Sequence, residues 1–282
     1  MTSQSRIWII ILASLYLALP VAADPLRVSI TTDIVEKDKP KDKDTEIITI
    51  DGEKKVRIEL LGTEKKPTDN TPYLLTIDGG NTWVIGNKAE AFCAQMDTGE
   101  FFTYLGNLAL KVEGIANLEI TDPKVKKVHE KKGPKILGYP TTHVRLVTTA
   151  AGKATVLFKK YEYKVHITDD IWYSTEMEMH PVRKRWLEAL SQSGYKQLDT
   201  LIDQWAANLP GAILKQESIV KVTNVIKNEE DIYSEKIRVV TVEKLKPSDL
   251  PKQTFEMPKC KTISKKEMRD TAKELFEKGK LL

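Results

Sequence analysis

Cysteine is nearly absent from this 282-residue chain: Cys93 and Cys260 are the only two. They are far apart, so there is no C-x-x-C and no thioredoxin-type redox pair. Histidine is almost as scarce, at four residues. His129-Glu130 opens like a zinc-binding helix, but the position four residues after His129 is Gly133, so the zincin pattern fails. There is no G-x-S-x-G to present a strained serine, and no G-x-x-x-x-G-K-[ST] or G-x-G-x-x-G to cradle a phosphate. Charge of one sign is lacking too. The formal net charge is +4, far from the strongly basic balance of a nucleic-acid-binding domain. After residue 23 no apolar run approaches the roughly 20 residues of a membrane-spanning helix.

What is present begins at the N-terminus. Arg6 is followed by the apolar run from Ile7 to Leu19 and then by Pro20-Val21-Ala22-Ala23. A basic start, a short greasy core and small residues at its end make a secretory signal peptide, cleaved after Ala23. The run is short for an uncleaved membrane anchor. Cleavage removes Arg6, leaving 43 of the 44 basic residues against 40 acidic ones. The expected location is the periplasm or the exterior, where disulfides persist. Cys93 and Cys260 are therefore candidates for one bridge, the alternative being two separate buried thiols. Closing so long a loop is worth roughly 5 kcal/mol at most.

From Leu26 the dominant rhythm is alternation of apolar and polar residues, the mark of strands with one buried face. Val56, Ile58 and Leu60 share one face of such a strand, and Lys55, Arg57 and Glu59 the other. Asp51-Gly52 and Asp78-Gly79-Gly80-Asn81 are hairpin turn signals. The mixed-charge run 36–44 reads as a solvated hairpin tip. Residues 99–110 suggest a short helix or irregular cover. Further strands are expected at 118–120, 124–129, 143–148, 155–158, 161–167 and 172–177. The turns between them are expected at Asp122-Pro123, Lys132-Gly133-Pro134, Ala151-Gly152 and Asp169-Asp170.

The period changes after Pro181. Leu198, Leu201, Ile202, Trp205, Ala206 and Leu209 form an apolar stripe at helical spacing, and 183–209 reads as a helical insertion. Strands follow at 212–214, 219–226 and 235–245. Ser264-Lys265-Lys266-Glu267 has capping-box spacing and opens a terminal helix. The expected organisation is a signal peptide at 1–23, one domain at 24–260 and a C-terminal helix at 261–282. The fold class is α+β, mainly β: one antiparallel sheet that buries the helical stripe on one face.

Ile136-Leu137-Gly138-Tyr139-Pro140-Thr141-Thr142-His143 resembles the I-x-G-Y turn of an uncharacterised family of secreted bacterial proteins. That family is related to the lipoprotein-carrier superfamily of the LolA/LolB type. Val56-Arg57-Ile58-Glu59, Ile77-Asp78 leading to Trp83-Val84-Ile85 and Met96, and Asp170-Ile171-Trp172-Tyr173-Ser174-Thr175 are similar to other segments of it. The resemblance implies a curved half-barrel whose concave side is closed by helices, a side that carriers use to hold acyl chains. Carriers begin with an amphipathic helix, whereas here Asp24-Pro25-Leu26 leads almost directly into a strand.

Two function classes remain. Trp83, Tyr139, Trp172, Trp205 and Arg57 could line an apolar cavity for an acyl chain or a lipidated protein; the aromatic residues could equally fill a core. Alternatively the core is filled and a surface docks envelope proteins or an anionic membrane. Lys126, Lys127 and Lys131, within the lysine cluster 124–135, are the contact candidates. An enzyme assembled from His143, His166 and an acid has no motif behind it. Glu229-Glu230 and Asp169-Asp170 sit at expected turns, where neighbouring carboxylates make poor acid/base pairs. His143 and His166 could meet across a ladder, but with no third ligand beside them no metal site is expected. No cofactor and no nucleic acid are expected either.

Overall fold

The structure is a computed structural model that describes residues 25–36, 42–62, 64, 66–86, 93–99, 115–156, 159–177, 179–192, 196–258 and 261–262. The expected leader, most of the 99–110 segment, the middle of the 36–44 run and the expected helix from Ser264 lie outside them. Cys260 and the Cys93 side chain do as well.

Alternation in the sequence becomes a single sheet. Its strands are β1 (Leu26–Glu36), β2 (Asp42–Asp51), β3 (Lys55–Gly62), β4 (Tyr73–Thr76), β5 (Thr82–Gly86), β6 (Cys93–Asp97), β7 (Ile115–Lys132), β8 (Thr142–Val156), β9 (Lys159–Ser174), β10 (Ala212–Asn224), β11 (Glu229–Lys244) and β12 (Lys261–Thr262). The lateral order is β12-β6-β5-β4-β3-β2-β1-β11-β10-β9-β8-β7. All neighbours are antiparallel except the two-residue β12, which runs parallel to β6. The sheet is not closed into a barrel, and β1 beside β11 joins the first described strand to the last long one. Lys261–Thr262 is thus strand, not the start of the terminal helix.

Among the described residues two α-helices, α1 (Pro181–Leu190) and α2 (Lys196–Ala206), interrupt the strands where the apolar period changes. Val182 and Trp186 of α1 join Val28, Ile30, Ile48, Ile50, Val56, Ile58, Trp83 and Leu214 in the larger core. Trp205 of α2, with Leu209 just beyond it, packs on Val144, Leu146, Ile171, Tyr173 and Ile213. Both helices therefore cover the same face. His180 fixes the start of α1 from both ring nitrogens. Its Nδ1 accepts from the Val182 N–H (3.2 Å), and its Nε2 donates to the Gly52 carbonyl in the β2–β3 turn (2.9 Å). Burial holds the His180 pKa below the usual histidine value.

Strands are longer than turn chemistry suggests. Asp122-Pro123 lies inside β7 as a bulge, with Asp122 at φ 51° and a register shift between Thr121 and Lys124. Proline has no N–H for the ladder, and a bulge absorbs that loss. Ala151-Gly152 and Asp169-Asp170 sit within β8 and β9, paired on both sides. Ladder pairing and side-chain partners override the local preference of Asp and Gly for turns.

The opposite face has its own small core. Tyr73, Leu75 and Val84 pack beneath Phe255 and Met257, so residues 252–257 wrap behind β3–β5.

Candidate functional site

Register aligns two rows of side chains across the outer face of β7–β10, opposite the helices. One row runs Lys131, His143, Trp172, Lys215 and the next His129, Arg145, Asp170, Glu217. Bulges at Lys127/His129 and Ile213/Lys215 keep these residues in phase. The His143 ring stacks on Trp172, with centroids 4.4 Å apart and planes 3° from parallel. The Lys215 ammonium sits 4.0 Å from the Trp172 ring centre, a cation–π contact. His129 meets His143 edge-on at 4.9 Å.

Asp170 anchors the rows. Arg145 donates to both of its oxygens, from Nε at 2.9 Å and from Nη2 at 2.7 Å. The His143 Nε2 lies 2.7 Å from Oδ1; because an ionised carboxylate only accepts, Nε2 carries the proton. Partial burial pushes the Asp170 carboxyl up, but the hydrogen bonds from Arg145 and His143 outweigh it and hold the pKa below the ordinary value. His129 is held low, first by desolvation and then by the charges of His143, Lys131 and Arg145. Its Nε2 is buried with no hydrogen-bond partner.

A second polar group lies on the helix-bearing face. Asp169 accepts from Ser218 Oγ (2.6 Å) and from Gln216 Nε2 (3.2 Å). Glu46 and Glu235 are buried on the same face. Burial, then Asp44, pushes the Glu46 carboxyl up to about 7. Burial, then Asp169, Glu46 and Asp44, pushes Glu235 up to about 8. Glu235 Oε1 and Gln216 Oε1 have no hydrogen-bond partner.

The residues singled out in the sequence do not converge. Trp83 is 2% exposed and packs at 4.7 Å on Trp186; Tyr139 lies against the same core, and Trp205 belongs to the other. Trp172 and Arg57 project from the opposite face, so they do not line a space between sheet and helices. Alternation decides this, since Ile171 and Tyr173 flank Trp172, and Val56 and Ile58 flank Arg57, all in helix-side cores. Arg57 instead sits 4.0 Å over the Tyr73 ring and bonds Glu59 at 3.1 Å. Lys126, Lys127 and Lys131 are exposed on β7, which ends the strand order, and Lys127 pairs with Glu130 at 2.5 Å. Beside them Glu130, Lys131, Thr142 and Glu176 line an open groove of about 340 Å³.

His143 meets His129 and Asp170, not His166. His166 pairs with Thr149, six positions along β8 from His143, or about 20 Å at the rise of a strand. Sequence spacing could not show this, because Asp170 stood at an expected turn. The buried acids did leave a signal: Glu46 is in phase with Ile48 and Ile50, and Glu235 with Ile237 and Val239.

No family model matches the chain, and no curated protein does. Nineteen chains of solved structures are similar to it, and two serve as examples. One is a LolA superfamily protein from Nitrosomonas europaea, at 12% identity and TM-score 0.27, covering 91% of this chain and 98% of that one. The other is a domain described as an outer membrane lipoprotein-sorting protein from Vibrio parahaemolyticus, at 8% identity and TM-score 0.28, covering 90% and 97%. At such identities and TM-scores neither likeness bears on what this chain does.

Proposed function

We propose that this chain is a non-enzymatic protein of the cell envelope, a solid scaffold whose lysine-bearing edge docks an anionic surface. The observation that carries the reading is the contrast between interior and edge. Trp83, Trp186 and Trp205 are closed into packed cores, while the lysines at 124, 126, 127, 131, 132 and 135 are all exposed along β7 and the turn after it. A lysine-lined edge also discourages pairing with a further strand. Each lysine near an anionic membrane contributes about 1 kcal/mol, so several together support reversible docking. The envelope location rests on the leader at 1–23.

Co-sedimentation with vesicles containing phosphatidylglycerol tests it. Binding that falls with salt and disappears in K126E/K127E/K131E is expected; equal binding by that variant overturns the reading. A second reading, an acyl chain or lipidated protein held between sheet and helices, is supported by one observation. The helix-bearing face carries buried polar oxygens without partners, Glu235 Oε1 and Gln216 Oε1, which a polar headgroup would satisfy. Solvent extraction and mass spectrometry of the purified protein decide it. Recovered stoichiometric lipid favours this second reading, and none removes it.

A further inference from the structure

We propose that His129, His143 and Asp170 bind a divalent transition-metal ion of the zinc kind on the outer face of the sheet. Three adjacent strands supply one residue each, and one donor atom from each lies within 4.8 Å of the others. Two imidazole nitrogens and a carboxylate oxygen are the donor set of open three-ligand zinc sites, in which water completes the sphere. With metal–ligand bonds of about 2.0–2.2 Å, donors on one tetrahedral ion stand roughly 3.3 Å apart. The three side chains therefore need only adjust by rotation. His143 Nε2 and Asp170 Oδ1, now 2.7 Å apart, separate slightly as the ion takes the place of the proton between them, and His143 stays neutral by carrying its one N–H on Nδ1 instead, through exchange with water.

An independent observation points to a missing partner at this place. His129 Nε2 is buried and bonded to nothing, which is rare for a polar atom in a finished structure. The surroundings are those of a supported site. Trp172 fixes the plane of His143 by stacking, and Arg145 holds the Asp170 carboxylate from two directions. Such outer partners orient metal ligands and tune them. Arg145 and Lys131 also bring positive charge beside the ion, so the site suits a metal held by strong imidazole bonds better than calcium or magnesium, which need several oxygens.

Titration of the metal-free mature protein with Co²⁺, followed by visible d–d absorption and confirmed by Zn²⁺ competition, tests the proposal. One equivalent per chain is expected in the wild type. Binding should weaken at least tenfold in H129A and in H143A, and should be unchanged in H166A. H129A is the cleanest variant, since removing an unbonded Nε2 breaks no hydrogen bond there; thermal unfolding without metal checks that it folds. Absence of a stoichiometric Co²⁺ spectrum in the wild type, or equal binding by the H129A/H143A double variant, overturns the proposal. Vesicle docking reads the lysines and not the histidines, so the two outcomes are separable.

Discussion

Asp169 and Asp170 are neighbours in the chain but work on opposite faces of β9. Asp169 accepts from Ser218 and Gln216 on the helix-bearing face, and Asp170 holds Arg145 and His143 on the outer face. The two-residue period of a strand gives each carboxyl its own environment, and the two respond oppositely. Burial raises the Asp169 pKa despite its hydrogen bonds, whereas hydrogen bonds lower that of Asp170 despite burial.

Alanine substitutions should therefore separate the two. Asp169→Ala removes the acceptor of the buried Ser218 hydroxyl and one of the two acceptors of the Gln216 amide, which keeps its bond to Ser218 Oγ (2.9 Å); the substitution should cost about 1–3 kcal/mol in urea-denaturation stability. It should leave the His129–His143 pair intact. Asp170→Ala should cost less, because the Arg145 side chain is 43% exposed and water can replace the lost acceptor. Equal losses in the two variants would contradict this division.

The buried carboxyls set the pH dependence. Glu46 and Glu235 titrate near 4.5 when exposed, but at about 7 and about 8 in the folded chain. Between these limits the folded state keeps protons that the unfolded state has released. Stability is therefore highest near pH 5 and falls as pH rises to about 8. The loss is on the order of 3 kcal/mol per group. Glu46→Gln and Glu235→Gln should each raise the thermal midpoint at pH 8 and flatten the profile. A wild-type midpoint that is level or rising from pH 5 to pH 8 would refute the assignment.

Gly211, between the end of α2 and the start of β10, has no room for a side chain. A Cβ there would lie 2.3 Å from the Ser174 carbonyl oxygen and 2.7 Å from its carbon, both backbone atoms. Gly211→Ala should destabilise by about 1–3 kcal/mol, the usual cost of overpacking. Gly138 has open space around it but φ of 86°, so Gly138→Ala is penalised only by its backbone conformation. Denaturant midpoints of the two variants, compared with wild type, measure both effects.

Alternation and helical period made the sheet and both helices legible. Val56, Ile58 and Leu60 do share the buried side, and the 183–209 insertion resolves into α1 and α2. Strand ends were less legible. Turn residues such as Asp122, Gly152 and Asp170 lie inside long ladders, held there by partners distant in sequence. For the same reason the cluster His129–His143–Asp170 could not be read. It depends on the register of three strands, and register is set by the whole buried pattern and by bulges, not by local spacing.

Register also bears on the two cysteines. The parallel pair of β6 and β12 sets Lys261 opposite Ala94 and Thr262 opposite Gln95. In sequence, Cys93 immediately precedes Ala94 and Cys260 immediately precedes Lys261. We propose one Cys93–Cys260 bridge, as an oxidising compartment would favour. Ellman titration of unfolded, unreduced protein should find no free thiol, and two free thiols would exclude the bridge. Reduction should then lower stability by up to about 5 kcal/mol, since the bridge closes a loop of most of the domain. Because β12 is only two residues long, its pairing with β6 would depend on that covalent tie, and Cys260→Ser should release it while β1–β11 retain their hydrogen-exchange protection.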